Sequence, residues 1–217
     1  MIITKKNMNE LQTILVIGRT GQLGRSIQAI ASNYPSYEFV FTDRQQLDLS
    51  NHTSLIKFFE CNTFDVFINC AAYTAVDNAE AEPELANQIN HLAVRQLAKM
   101  AKQQNAKLIN ISTDYVFNGE QYQPYLETDE VAPYSVYGQT KLRGEQAVQT
   151  TLKNNSIIIR TSWLYSEYGN NFVKTMLKLG QESESLDIIS DQVGTPTYAK
   201  DLATDIMSIV QSQKFRK

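Results

Sequence analysis

Five short runs rich in β-branched and aromatic residues recur along the chain: Thr13 to Ile17, Glu38 to Thr42, Asp65 to Cys70, Lys107 to Ser112 and Ile157 to Arg160. The first, TILVI, is wholly apolar, which suits a strand covered on both faces. Stretches with helical spacing separate them. Leu23, Ile27 and Ile30 share a face across residues 25–32, residues 53–60 read as a helix, and Pro83 opens a long helix through Gln104. Residues 133–152 form a further helix. Beyond the fifth run, Asn170 to Leu179 reads as helical, Leu186 to Ile189 as a short strand and Tyr198 to Gln211 as a final helix. Strands alternating with helices imply βαβ units and an α/β fold with a doubly wound parallel sheet.

Such sheets bind ligands at the carboxyl ends of their strands. The chemically distinctive residues fall there: Gly18 after the first strand, Asp43 after the second, Ala71 to Asp77 after the third, Thr113 after the fourth and Trp163 after the fifth. Gly18, Gly21 and Gly24 form G-x-x-G-x-x-G, a variant of the dinucleotide fingerprint. Glycines there permit a tight turn and let backbone N–H groups approach a pyrophosphate at the positive end of a helix. A glycine-rich turn between packed elements is the plainer alternative. The loop's Gly18, Thr20, Gly21, Gln22 and Leu23 are cofactor-binding candidates. Asp43 stands about 20 residues further on, where an acid can hold a ribose hydroxyl. Arg44 beside it could receive a 2'-phosphate, so NADH and NADPH both stay open. Asp48 and Leu49 are a second contact on the adenine side, or a helix cap.

Tyr137 and Lys141 are four residues apart, hence on one face of a helix. An ammonium near a phenol favours the phenolate, so Lys141 is expected to lower the pKa of Tyr137. An amphipathic surface pair fits the same spacing. Ser112-Thr113-Asp114-Tyr115 lies at the mouth of the fourth strand, where Thr113 can hydrogen-bond a carbonyl or merely cap a turn. His52 and His91 stand outside these motifs and suit packing or surface roles.

The chain has 217 residues, 20% of them charged and 42% hydrophobic, with a net charge of −3. That is ordinary for a globular protein and offers no basic patch for nucleic acid. No segment is apolar enough to span a membrane, and Met1 to Gln12 reads as a polar tail without a signal-peptide core. Cys61 and Cys70 lack metal-ligand spacing and read as buried free thiols in a reducing, cytoplasmic setting.

The glycine loop, Asn69 to Asp77, Ser112 to Phe117 and Tyr137-x-x-x-Lys141 together resemble the extended short-chain dehydrogenase/reductase family, and within it the dTDP-4-dehydrorhamnose reductases. Arg160 to Tyr165, Asn170 to Val173 and Asp191-Gln192-Val193-Gly194-Thr195-Pro196-Thr197 extend the match. The resemblance implies a Rossmann-type NAD(P)-binding domain over residues 13–165, carrying the catalytic residues, and a partial substrate lobe with a sheet-packing helix over 166–217. It implies reduction of the C4 ketone of a dTDP-sugar by NADPH or NADH. Tyr137 would be the proton donor, with Lys141 and Thr113 completing the catalytic set. Ala71, Ala72 and Tyr73 would join Tyr137 and Lys141 in binding cofactor. Thr74, Val76, Asp114, Tyr115, Trp163, Thr195 and Thr197 would contact the sugar nucleotide, and Asn90 would support the site. Family members run on past the position of Lys217. The family's homodimer and its interfacial magnesium ion are therefore not carried over, and the C-terminal lobe is expected to be incomplete. A shortened NAD(P)-binding paralogue acting as a regulatory subunit, or another nucleotide-sugar-modifying member of the family, is the alternative.

Overall fold

The computed structural model describes residues 11–212 and Phe215. The tail expected over residues 1–12 thus falls mostly outside the described residues, and Gln12 already belongs to the first strand. Five parallel strands form one sheet: β1 (Gln12–Ile17), β2 (Tyr37–Thr42), β3 (Val66–Asn69), β4 (Lys107–Thr113) and β5 (Ser156–Thr161). Their spatial order is β2-β1-β3-β4-β5. The chain reverses its direction of winding between β1 and β3, so the carboxyl ends part there and leave a crevice.

Side chains of β1 alternate between two cores, as a strand covered on both faces requires. Leu15 and Ile17 join Leu55 and Phe59 of α2 (His52–Cys61), Leu97 of α5 (Val94–Gln104) and Val148 of α6 (Val136–Leu152). Ile14 and Val16 face the other way, onto Leu23 and Ile27 of α1 (Gln22–Ile30) and Ile206 and Met207 of α8 (Ala199–Gln211). The last helix therefore packs against α1 on the sheet. Leu164–Tyr165 (β6) and Thr197–Tyr198 (β7) pair as a separate parallel ribbon.

Several elements differ from their sequence expectations. Residues 83–104 are not one α-helix. Two short helices, α3 (Val76–Ala81) and α4 (Pro83–Asn87), lead into a π-helical stretch, Gln88–Ala93, before α5. The wider turn buries Asn90, whose side chain accepts from Tyr73 N at 2.9 Å and donates to Tyr73 O at 3.0 Å and Thr140 Oγ1 at 3.2 Å. Helix α6 begins at Val136 rather than Pro133, because Ser135 accepts from Gly138 N and caps it. Leu186 to Ile189 forms no strand. No strand pairs with it, and Ile188 and Ile189 stand exposed, as does the face of α7 (Phe172–Glu182) that carries Leu177. Cys61 is exposed rather than buried, and both cysteines are free.

Helix α6 approaches its neighbours closely. A Cβ at Gly144 would lie 2.3 Å from the carbonyl oxygen of Asn90 in the π turn. Alanine normally gains about 1 kcal/mol over glycine in a helix interior, but overpacking costs about 1–3 kcal/mol and the obstacle is backbone. Gly144→Ala is expected to lower stability by about 1 kcal/mol, the balance of the two, read as a shift of the urea midpoint. An unchanged or raised midpoint would contradict this packing.

Candidate functional site

A cleft of about 900 Å³ opens at the carboxyl ends of the strands. It gathers the glycine loop, Asp43 to Leu49, Ala71 to Val76, Thr113 to Tyr115, Tyr137 with Lys141, and Trp163. Of the sugar-site candidates, Thr195 and Thr197 do not line it. Thr195 is exposed, with its carbonyl held by the Ser162 hydroxyl at 2.8 Å, and Thr197 is paired with Leu164 in the β6–β7 ribbon.

At one end, the Thr42 carbonyl accepts from both Gly18 N and Arg19 N at 2.9 Å, and Gly18 adopts φ +90° against the backbone of Ala71. Gly21 caps α1 without a side-chain hydrogen bond to the first turn. The free N–H groups of that turn, at the positive end of a nine-residue helix, suit an anion such as a pyrophosphate. Arg19, which the sequence did not single out, binds Asp43: Nε donates to Oδ2 at 3.0 Å and Nη2 lies 2.7 Å from it. Desolvation opposes the Asp43 charge. The Arg19 hydrogen bond and the amides of Gln46 and Gln45 outweigh it and hold the carboxyl below its ordinary value. Arg44 extends into solvent with Asp48 at 3.6 Å.

At the other end, Tyr137 and Lys141 are both buried on one face of α6. Lys141 Nζ donates to the carbonyl of Ile111 at 2.5 Å. Burial pulls its pKa down to about 8 against the upward pull of Glu145 and Cys70. Glu145, one turn on, is held by Arg160 at 3.0 and 2.7 Å, which fixes α6 to β5. Tyr137 differs from its expectation. Burial pushes its phenol up to about 12, a hydrogen bond with Thr113 works the other way, and Asp114 and Tyr115 push it further up. The Lys141 ammonium, which donates to Ile111, is not among the groups that shift it. Thr113 in turn donates to Asp114 Oδ1 at 3.0 Å, and burial raises the Asp114 carboxyl against that bond. Tyr115 sets its ring edge-on to Tyr137 with centroids 5.6 Å apart. A neutral phenol beside a hydroxyl in a cleft is equipped to give a proton to an oxygen placed between them.

The cleft also contains residues to which the sequence reading gave no role of their own. Gly169 and Asn170 reach it from a loop far along the chain, and Thr161 Oγ1 and Ser112 Oγ are buried there without a hydrogen-bond partner. Asn69 and Asn110, buried on adjacent strands, bond to each other at 2.8 Å beneath the site. An asparagine inside each apolar run, at the end of β3 and the middle of β4, was the available signal for that pair. His91 lies away from the cleft, bonded to Asn87, and His52 is exposed. Among the described residues no helix is long and apolar enough to cross a membrane, and no three His, Cys, Asp or Glu side chains gather as a metal site.

With this geometry established, the chain is similar to known proteins along most of its length. A family model described as the RmlD substrate binding domain matches residues 12–217. The dTDP-4-dehydrorhamnose reductase of Escherichia coli (strain K12) is 46% identical over 193 residues, which are 88% of this chain and 64% of that protein. The crystal structure of a dTDP-4-dehydrorhamnose reductase from Clostridium acetobutylicum is 45% identical with a TM-score of 0.87, over 91% of this chain and 70% of that one. The Bacillus anthracis protein of the same name, in complex with NADP, is 40% identical with a TM-score of 0.88, over 94% and 72%. The chain thus spans about two thirds of the length of the curated relatives it matches.

Burial of the Lys141 charge has a measurable consequence. Its pKa of about 8 in the folded chain lies below its ordinary 10.5. Below pH 8 the folded state carries the full cost of the buried charge. Between about pH 8 and 10.5 the unfolded state binds the extra proton, so this group makes stability rise with pH across that window. Lys141→Met is expected to stabilise the ligand-free chain at pH 7 by about 1–2 kcal/mol, after allowing for the lost hydrogen bond, with the gain fading towards pH 10.5. Thermal melts at pH 7 and pH 10 check this. Destabilisation at pH 7 would contradict it.

Proposed function

The chain belongs to the RmlD substrate binding domain family, and from that premise we propose that it carries the cofactor site and proton donor of an NADPH- or NADH-dependent reductase. The substrate is dTDP-4-dehydro-6-deoxy-L-mannose, whose C4 ketone becomes the alcohol of dTDP-L-rhamnose. The observation that supports this most directly is the convergence of Thr113, Tyr137 and Lys141 in the one cleft onto which the glycine loop opens. The names of the relatives and the NADP held by the Bacillus anthracis protein agree with it.

Bound in the cleft, the reduced nicotinamide would supply the hydride for C4. The chain's own residues do the rest. The first turn of α1 holds the pyrophosphate through its free N–H groups. Asp43 and Arg44 meet the adenine ribose, and the pairing of Asp43 with Arg19 lessens its repulsion of a 2'-phosphate, so both cofactors are accommodated. Tyr137, neutral at working pH, hydrogen-bonds the ketone oxygen and gives it a proton as negative charge develops there. Thr113 donates a second hydrogen bond to the same oxygen, orienting the carbonyl and stabilising that charge. Lys141, still protonated at pH 7, holds the nicotinamide ribose. Asp114, Tyr115 and Trp163, with Thr74 and Val76, line the cleft, which supports their reading as the contacts to the sugar. The described structure offers no wall from Thr195 and Thr197.

Oxidation of NADPH on addition of freshly generated dTDP-keto sugar, with the product identified by mass, tests the reading. Tyr137→Phe is expected to lower kcat by at least about 10²-fold, with NADP+ affinity nearly retained. Thr113→Val is expected to cost about 10²-fold. NADPH binding with no turnover by the unmutated chain would overturn the assignment of the reaction, and full turnover by Tyr137→Phe would overturn that of the proton donor.

A further inference from the structure

The side-chain amide of Gln22 is committed to partners more than 140 residues away. Its Nε2 donates to the carbonyl of Leu164 at 3.0 Å. Its Oε1 accepts from the Ser166 hydroxyl at 3.0 Å and from the Asn171 amide at 2.9 Å. Yet Gln22 is the first residue of α1, directly after Gly21, so its backbone lies in the turn proposed to hold the pyrophosphate. One residue therefore spans two regions of the cleft.

What Gln22 holds is a short ribbon and the start of an exposed helix. Leu164 sits next to Trp163 and belongs to a ribbon of two residues per strand. Asn171 caps α7 by accepting from Lys174 N at 3.0 Å, and α7 has no buried residue. Between them, Gly169 turns with φ +62° to lie against the Gln22 side chain, and Gly169 and Asn170 line the cleft. Arg25, one turn further along α1, adds a second tether by placing its guanidinium 5.0 Å over the Tyr168 ring. The segment is also held on its other side, where Leu164 packs against the sheet core, Tyr165 stacks on Tyr198 with centroids 5.3 Å apart and the Tyr198 hydroxyl donates to Glu167 at 3.3 Å; the Gln22 amide and the Arg25 guanidinium tie it to α1.

The geometry points to Gln22 as a positioning residue that couples occupancy of the glycine loop to the arrangement of the sugar-nucleotide wall at residues 163–171. The inference rests on the reductase reading above. An anion at the N-terminus of α1 fixes the Gln22 backbone, and the amide passes that order to Leu164, Ser166 and Asn171. Because coupling between two binding sites is reciprocal, a sugar nucleotide ordering the same wall tightens the cofactor by the same factor.

Calorimetric titration of the whole chain with NADP+ and with dTDP, each alone and each in the presence of the other, measures the coupling as a ratio of affinities. The unmutated chain is expected to bind dTDP at least about fivefold more tightly when NADP+ is present. In Gln22→Met the ratio falls to about one, whatever the affinity for either ligand alone; in Ser166→Ala it falls part of the way. A merely structural role would weaken binding and leave the ratio intact. Amide hydrogen exchange supplies a second readout: NADP+ slows exchange across residues 163–171 in the unmutated chain and does not in Gln22→Met. An unchanged ratio in Gln22→Met, or a ratio of one in the unmutated chain, overturns the role of Gln22 while leaving the reductase reading standing. A chain that binds neither NADP+ nor dTDP overturns both.

Discussion

Helix α6 meets its neighbours backbone to backbone, and the site depends on that closeness. A Cβ at Gly138 would lie 2.2 Å from the carbonyl oxygen of Tyr115, and one at Gly144 would lie 2.3 Å from that of Asn90. Neither backbone could retreat without disturbing the strand end or the π turn. The helix can therefore sit low against β4, which brings Tyr137 beside Thr113 and lets the Lys141 amine reach the carbonyl of Ile111. The ion pair between Glu145 and Arg160 then secures the next turn to β5. Because its partner carboxylate is almost wholly buried, losing either member would strand a charge, and the pair fixes the position of the helix more than it adds stability.

Burial follows from close packing, and the electrostatics follow from burial. In water Tyr137 and Lys141 would differ little in their tendency to hold a proton. In the cleft they are driven apart: the phenol keeps its proton to higher pH, and the amine gives its proton up more easily. Two groups whose environments separate their pKa values can divide the work of one reaction, one as acid and the other as a nearby cation. Desolvation dominates both shifts, and the mutual attraction that sequence spacing suggests contributes to neither. Burial keeps the phenol neutral, and the Thr113 hydroxyl beside it, already in place before any ligand arrives, opposes the rise in its pKa.

Much of this was legible in the chain. The apolar runs place the strands, and Leu23, Ile27 and Ile30 place α1, because burying an apolar face dictates those spacings. The glycine loop and Tyr137-x-x-x-Lys141 mark the site because their conformational and chemical demands are local. What escaped notice depends on tertiary partners. A strand at Leu186 to Ile189 needs a neighbour to pair with, and the described structure has none there. The π turn at Gln88–Ala93 exists to deliver Asn90 to Tyr73 and its carbonyl to Gly144, so it has no periodicity of its own. Arg19 declares itself only when Asp43 is folded beside it. Proximity of Tyr137 and Lys141 could be read from their spacing, whereas the direction of each pKa could not, since it depends on what surrounds them.

The claim that burial holds Tyr137 as a neutral acid can be measured at that residue. The ultraviolet absorbance of the ligand-free chain is titrated with base, and the titration of Tyr137→Phe is subtracted to isolate one phenol. The expected difference shows no ionisation of Tyr137 at or below its ordinary value of 10, with the step displaced towards about 12. A step below pH 10 would show that the Lys141 ammonium governs the phenol after all, and would contradict the account.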